Sequence, residues 1–117
     1  MAHILVYGSL RKGGLNFNRC GNQTFVKAFR LQGFNMHSYH DAYPTVCQGN
    51  GMIIAELHKV SKKTLSFLAG MEHRAGYTAF TVKVEGVDAV IFMMDEKVVQ
   101  GLKRVDSGDW FAYQPTF

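Results

Sequence analysis

The sequence predicts an α+β fold, a small β-barrel with one flanking helix, as a single domain over residues 1–117. Three observations predict it. Apolar runs of strand length recur along the chain, separated by Gly, Asn, Asp and Pro. Only the stretch between Ser61 and Gly76 carries helical spacing, and strand signals lie on both sides of it. With 117 residues and 47% hydrophobic content, the chain can bury one core and no more.

The elements follow in order. His3 to Tyr7 reads as a strand buried on both faces, because Ile4-Leu5-Val6-Tyr7 shows no alternation. Gly8 to Gly14 reads as a glycine-rich basic loop, and Leu15 to Cys20 as a short helical turn. Val26 to Tyr39 reads as strand-like stretches broken at Gly33. Asp41 to Pro44 is a turn leading into Thr45-Val46-Cys47. Gly49-Asn50-Gly51 is a strong turn signal, followed by a strand over Met52 to Val60. Ser61 suits an N-cap for a helix over Lys62 to His73, with Gly76 as its stop, although Lys62 and Lys63 oppose the dipole of the first turn. Phe80, Val82 and Val84 alternate with polar residues as a half-exposed strand. Glu85-Gly86 then turns the chain into Val87 to Met94, its hairpin partner. The segment Ser107 to Tyr113 is aromatic enough to pack.

Composition narrows the function classes. Charged residues make up 19% of the chain and the net charge is +4, but the basic residues come as scattered pairs. Scattered pairs read as a solvated surface more than as a nucleic-acid stripe, and they also suit an anionic small-molecule substrate. The N-terminus lacks the basic and apolar regions of a signal peptide, and no apolar run approaches the roughly 18 residues that span a bilayer. The expectation is a soluble cytoplasmic protein with a small-molecule partner, no nucleic acid and no membrane, its oligomeric state left open. Cys20 and Cys47 have neither redox nor zinc spacing. His37, His40 and Asp41 offer too few ligands for a metal, and neither metal nor organic cofactor is expected.

One residue breaks the helix pattern. Leu65, Leu68 and Ala69 define an inward stripe, and Glu72 falls on it at i+7, i+4 and i+3. Either the helix frays after Gly70 and Glu72 reaches water, or its carboxylate lines a cavity. In the second case burial raises its pKa toward the range of a general acid/base. The loop after the first strand is a second candidate. Its successive backbone N–H groups can hold a carboxylate or an oxyanion, Gly8 allows close approach, and Arg11 and Lys12 add positive field. It matches neither the P-loop nor the GxGxxG pattern, so it also reads as a plain turn. Tyr39, Tyr43 and Tyr77 suit a pocket wall or a core equally.

Several stretches share one pattern, in order along nearly the whole chain. Val6-Tyr7-Gly8-Ser9-Leu10-Arg11, continued by Gly14, Asn16 and Asn18, resembles the Y-G-[ST]-L signature of the γ-glutamylcyclotransferase-like family, which includes the AIG2-like proteins. Ala42-Tyr43-Pro44 resembles its central Y-P, and Gly51 to Leu57 its following strand. Leu65 to Tyr77 resembles its glutamate helix, and Ser107 to Trp110 its C-terminal element. The chain departs from the family at Ala69 (an Asp there), His73 (a Gly), Ala79 (an Arg) and Phe92 (often a Tyr). The resemblance implies a small mixed barrel and a γ-glutamyl cyclotransferase. In that reaction the substrate α-amine attacks its own γ-carbonyl and releases 5-oxoproline and the free amine. It implies Glu72 as the catalytic residue and Tyr7, Gly8, Ser9, Leu10, Tyr43 and Tyr77 as substrate-binding residues, with no cofactor. A non-catalytic ligand-binding module on the same fold is the alternative. A basic nucleic-acid-binding barrel is a third reading, and it lacks the interleaved aromatic and basic face such a protein needs.

Overall fold

The computed structural model describes residues 2–14, 17 and 23–113. The expected helical turn over Leu15 to Cys20, with Asn16 and Asn18, lies outside them apart from Phe17. A six-stranded mixed sheet curls into a half-barrel, in the order β4-β5-β1-β3-β2-β6. Its strands are β1 (Ala2–Val6), β2 (Gln23–Tyr39), β3 (Tyr43–Val60), β4 (Tyr77–Val84), β5 (Val87–Met94) and β6 (Lys103–Val105). Two helices, α1 (Lys62–Arg74) and α2 (Glu96–Val99), and a 3-10 turn over Trp110–Ala112 complete it. β1 pairs parallel with β5 and antiparallel with β3, and the other pairings are antiparallel.

The short first strand sits near the middle of the sheet, so both its faces are covered. Leu5 points into one apolar cluster with Met36, Ile53, Leu57 and Ile91. Ile4 and Val6 point into a second, with Leu10, Leu68, Phe92 and Met94. A continuous apolar run in β1 is what two-sided burial requires, at roughly 1.5–3 kcal/mol for each fully buried aliphatic side chain.

The longest departure from expectation is the β2–β3 hairpin. Gly49-Asn50-Gly51 does not end a strand. It lies inside β3, and the broken stretches around Gly33 are one strand, β2. Gln32 pairs with Met52 and Phe34 with Gln48, so Gly33 opposes the three residues 49–51 in a wide bulge. The side chain of Asn35 fills the space where Cβ atoms on Gly49 and Gly51 would stand. The turn chemistry is real, but the flanking residues keep pairing, and cross-strand bonding carries both strands through the irregularity. The chain reverses instead at His40 and Asp41, both with positive φ, where the N–H of Ala42 donates to the Tyr39 carbonyl.

α1 starts as the sequence predicts. The Ser61 hydroxyl accepts from the Thr64 N–H, and the helix runs through Glu72 to Arg74 before Gly76 turns at positive φ. His73 and Arg74 suit the negative end of its dipole. Leu68 is fully buried, and Leu65 and Ala69 are partly buried beside it. The β4–β5 hairpin turns at Glu85 and Gly86, both at positive φ, the type I′ geometry that fits strand twist. Phe80, one of the alternating apolar residues of this half-exposed strand, is 45% exposed, and β4 lies at the edge of the sheet. α2 and β6 were not expected from the sequence. Both are too short for a periodic signal, and tertiary contacts define them.

Candidate active site

A cleft of about 510 Å³ opens where β1 ends. Tyr7, Gly8, Ser9, Leu10, Tyr43, Glu72 and Tyr77 all line it, whereas Tyr39, the other candidate for the pocket wall, is not among the lining residues. Three segments supply them: the loop after β1, the start of β3, and the end of α1 running into β4.

Glu72 reaches the cleft because α1 continues one turn past Gly70. Its carboxyl is half-buried. It makes no hydrogen bond and no ion pair with any described residue. Burial alone pushes its pKa up from 4.5 to about 7. Loss of water with no compensating partner disfavours the charged form, and the proton becomes exchangeable near neutrality.

The tyrosines are held by their hydroxyls. Tyr7 donates to the Phe92 carbonyl and Tyr77 to the Pro44 carbonyl. Burial, with the Glu72 charge adding to it, raises both phenols far above their ordinary range. They therefore remain neutral and present ring surface and oxygen lone pairs to the cleft. Tyr43 stacks on Tyr39 at 5.2 Å and tilts against Tyr77 at 6.1 Å, which fixes the aromatic wall.

The loop is a compact turn. The Arg11 N–H donates to the Gly8 carbonyl and the Gly14 N–H to the Arg11 carbonyl. The N–H groups of Gly8 and Leu10 donate to no described residue. The close approach expected at Gly8 is to protein: a Cβ there would stand 2.8 Å from the Pro44 ring. Gly8 thus lets the loop lie against the start of β3 and sets the width of the cleft.

Arg11 does not project its charge into the cleft as expected. It is buried, with Nε 3.1 Å from Glu56 Oε2 and Nη1 3.0 Å from Asp109 Oδ1. Glu56, 4% exposed, also accepts from the Lys12 N–H at 2.7 Å and lies 3.0 Å from His58 Nε2. One carboxylate therefore pins two consecutive loop residues. Sequence reasoning missed Glu56. Its signal was a lone acid between Ala55 and Leu57 in an otherwise apolar strand. Met71, Ala75, Phe92, Trp110 and Phe111 also line the cleft. The aromatic content of the C-terminal segment was the hint for the last two.

The remaining candidates lie elsewhere. His37 is paired in mid-sheet and its pKa is lowered by burial and by Arg104, while His40 is exposed and packs edge-on against Tyr39. Among the described residues no three metal-binding side chains converge. Cys47 is a free thiol and Cys20 lies outside the described residues. No helix among the described residues is long and apolar enough to cross a membrane.

The molecule is thus an α+β half-barrel whose cleft is lined by the turn after β1 and by a half-buried carboxyl from α1. The chain belongs to the gamma-glutamyl cyclotransferase, AIG2-like family, whose model matches residues 4–112, and it is an enzyme of gamma-glutamylcyclotransferase-like type. It is 29% identical over 107 residues to the gamma-glutamylcyclotransferase family protein YtfP of Escherichia coli K12, covering 92% of this chain and 94% of that protein. The fold is similar to an uncharacterized protein from Pyrococcus horikoshii, with a TM-score of 0.80 at 26% identity over 94% of this chain and 90% of that one. A gamma-glutamyl cyclotransferase at 19% identity shares the fold, with a TM-score of 0.67 over 88% of this chain and 69% of that one.

Proposed function

We propose that the protein cyclises the γ-glutamyl group of a γ-glutamyl amine or peptide, releasing 5-oxoproline and the free amine. The observation that carries this reading is Glu72, a carboxyl with no partner among the described residues, raised to about 7 and set in the same cleft as the Tyr7–Leu10 loop. The substrate α-amine attacks its own γ-carbonyl carbon. Glu72 accepts a proton from that amine and returns it to the leaving nitrogen as the C–N bond breaks. One proton is taken and one is given, so the enzyme ends as it began. The backbone N–H groups of the Gly8–Leu10 turn hold the α-carboxylate or the developing oxyanion, and the neutral rings of Tyr7, Tyr43 and Tyr77 confine the glutamyl chain. Because the nucleophile belongs to the substrate, most of the catalysis is orientation. Well-aligned intramolecular reactions gain on the order of 7–11 kcal/mol this way.

Mass spectrometry for 5-oxoproline tests the reading, with γ-glutamyl dipeptides, glutathione and γ-glutamyl-ε-lysine offered to the folded protein. Product from at least one substrate is expected. No product from any of them, with the substrates bound, would favour a ligand-binding module instead.

A further inference from the structure

The segment after β6 crosses the mouth of the cleft and is fastened at each end. Gly108 sits at positive φ against β3, where its carbonyl accepts from the Ile54 N–H at 2.8 Å, and a Cβ there would collide with the Met52 carbonyl. Asp109 caps the 3-10 turn through the Phe111 N–H at 3.1 Å and holds Arg11, the residue after Leu10 of the cradle. At the other end the Tyr113 hydroxyl donates to Asp41, the residue before Ala42 in the cleft wall, and holds that carboxyl below its usual range. Between these fastenings Trp110 and Phe111 line the cleft. Trp110 stacks on Tyr113 at 5.1 Å, and the Arg11 guanidinium lies 4.0 Å from the Phe111 ring centroid. These rings are fixed walls, held by contacts to both sides of the site.

The charge of the cleft is as restricted as its shape. No Lys, Arg or His among the described residues lines it, and Arg11 is committed to Glu56 and Asp109. A glutamyl substrate already brings one carboxylate for the backbone turn. A second carboxylate on the amine half would meet aromatic rings and the Glu72 carboxyl, with no counter-charge.

We propose that Trp110 and Phe111 form the subsite for the amine half of the substrate and select an uncharged apolar amine over one carrying a carboxylate. The proposal rests on reading the cleft as a γ-glutamyl site, and two readouts separate the claims. The first is kcat/KM for γ-glutamyl benzylamide and γ-glutamylglycine. The second is binding of glutaryl benzylamide and glutarylglycine, which keep a carboxylate but lack the attacking amine. Trp110, the single tryptophan of the chain, reports that binding by fluorescence.

The benzylamide is expected to lead γ-glutamylglycine by at least about 10-fold, mainly through KM, the scale of burying one aromatic ring. Phe111→Lys, at a 45% exposed position, is expected to lower the benzylamide value and raise the γ-glutamylglycine value. Equal turnover of the two substrates, or a Phe111→Lys change that scales both alike, overturns the subsite and leaves the cyclisation standing. Tighter binding of glutaryl benzylamide without any 5-oxoproline supports the subsite and removes the cyclisation. Equal binding of the two glutaryl compounds with no turnover removes both.

Discussion

Glu56 and Glu72 both attend the loop that follows β1, and they differ in everything except residue type. Glu56 is the more deeply buried, yet its oxygens are met by a guanidinium, a backbone N–H and an imidazole. Glu72 is only half-buried and meets none of these among the described residues. Burial by itself therefore does not make a proton-transfer group. A buried carboxylate with a full set of partners stays put and organises its neighbours. One that is desolvated and unpaired has a labile proton near neutral pH.

The sharpest way to break this comparison is to neutralise each acid in turn. Glu72→Gln removes the proton acceptor, and 5-oxoproline formation is expected to fall about 10²–10⁴-fold, with the circular dichroism spectrum of the folded protein unchanged. Activity retained within a few-fold would remove Glu72 from the mechanism. Glu56→Ala leaves the Arg11 charge buried with only Asp109 beside it. Urea unfolding is expected to show a loss of about 3–5 kcal/mol. A loss below 1 kcal/mol would mean that water replaces Glu56 at no cost.

The pH dependence sharpens the same contrast. The folded-state pKa of Glu72, about 7, lies above its ordinary 4.5. The stability gained by burying the neutral acid is thus fully present below about pH 4.5 and is lost as pH rises through about 7. At pH 8 Glu72→Gln should be the more stable protein by about 1–3 kcal/mol, and at pH 4 the two should agree. Activity should move the opposite way, with kcat/KM rising to a plateau above an apparent pKa near 7. An inflection near 4.5 in either measurement would place the carboxyl in water. The smallest change is expected at the far edge of the sheet. Phe80→Thr removes an exposed ring from β4 and should change the unfolding free energy, read from urea curves, by no more than about 0.5 kcal/mol.

Much of the cleft was legible because its residues announce themselves locally. Tyr7-Gly8-Ser9-Leu10 ends an apolar run with a turn, and Glu72 interrupts a helical stripe at a spacing that leaves one direction for its side chain. The hairpin at Glu85-Gly86 and the cap at Ser61 are likewise written in a few adjacent residues. Local sterics and local hydrogen bonds decide such features, so adjacent residues suffice to predict them.

What tertiary structure alone decided involves residues far apart in the chain. Gly49-Asn50-Gly51 reads as a turn by itself and becomes a bulge because β2 supplies partners on both sides of it. Whether Glu72 meets water or a cleft depended on the β1 loop and the aromatic pairs around Tyr43. Arg11 reads as a free positive charge until Glu56 and Asp109, 45 and 98 residues away, neutralise it. The type of each group and its local geometry belong to the sequence. The partners that set its charge, its burial and its access to a ligand are brought by folding, because electrostatic and hydrophobic energies depend on distance in space and not along the chain.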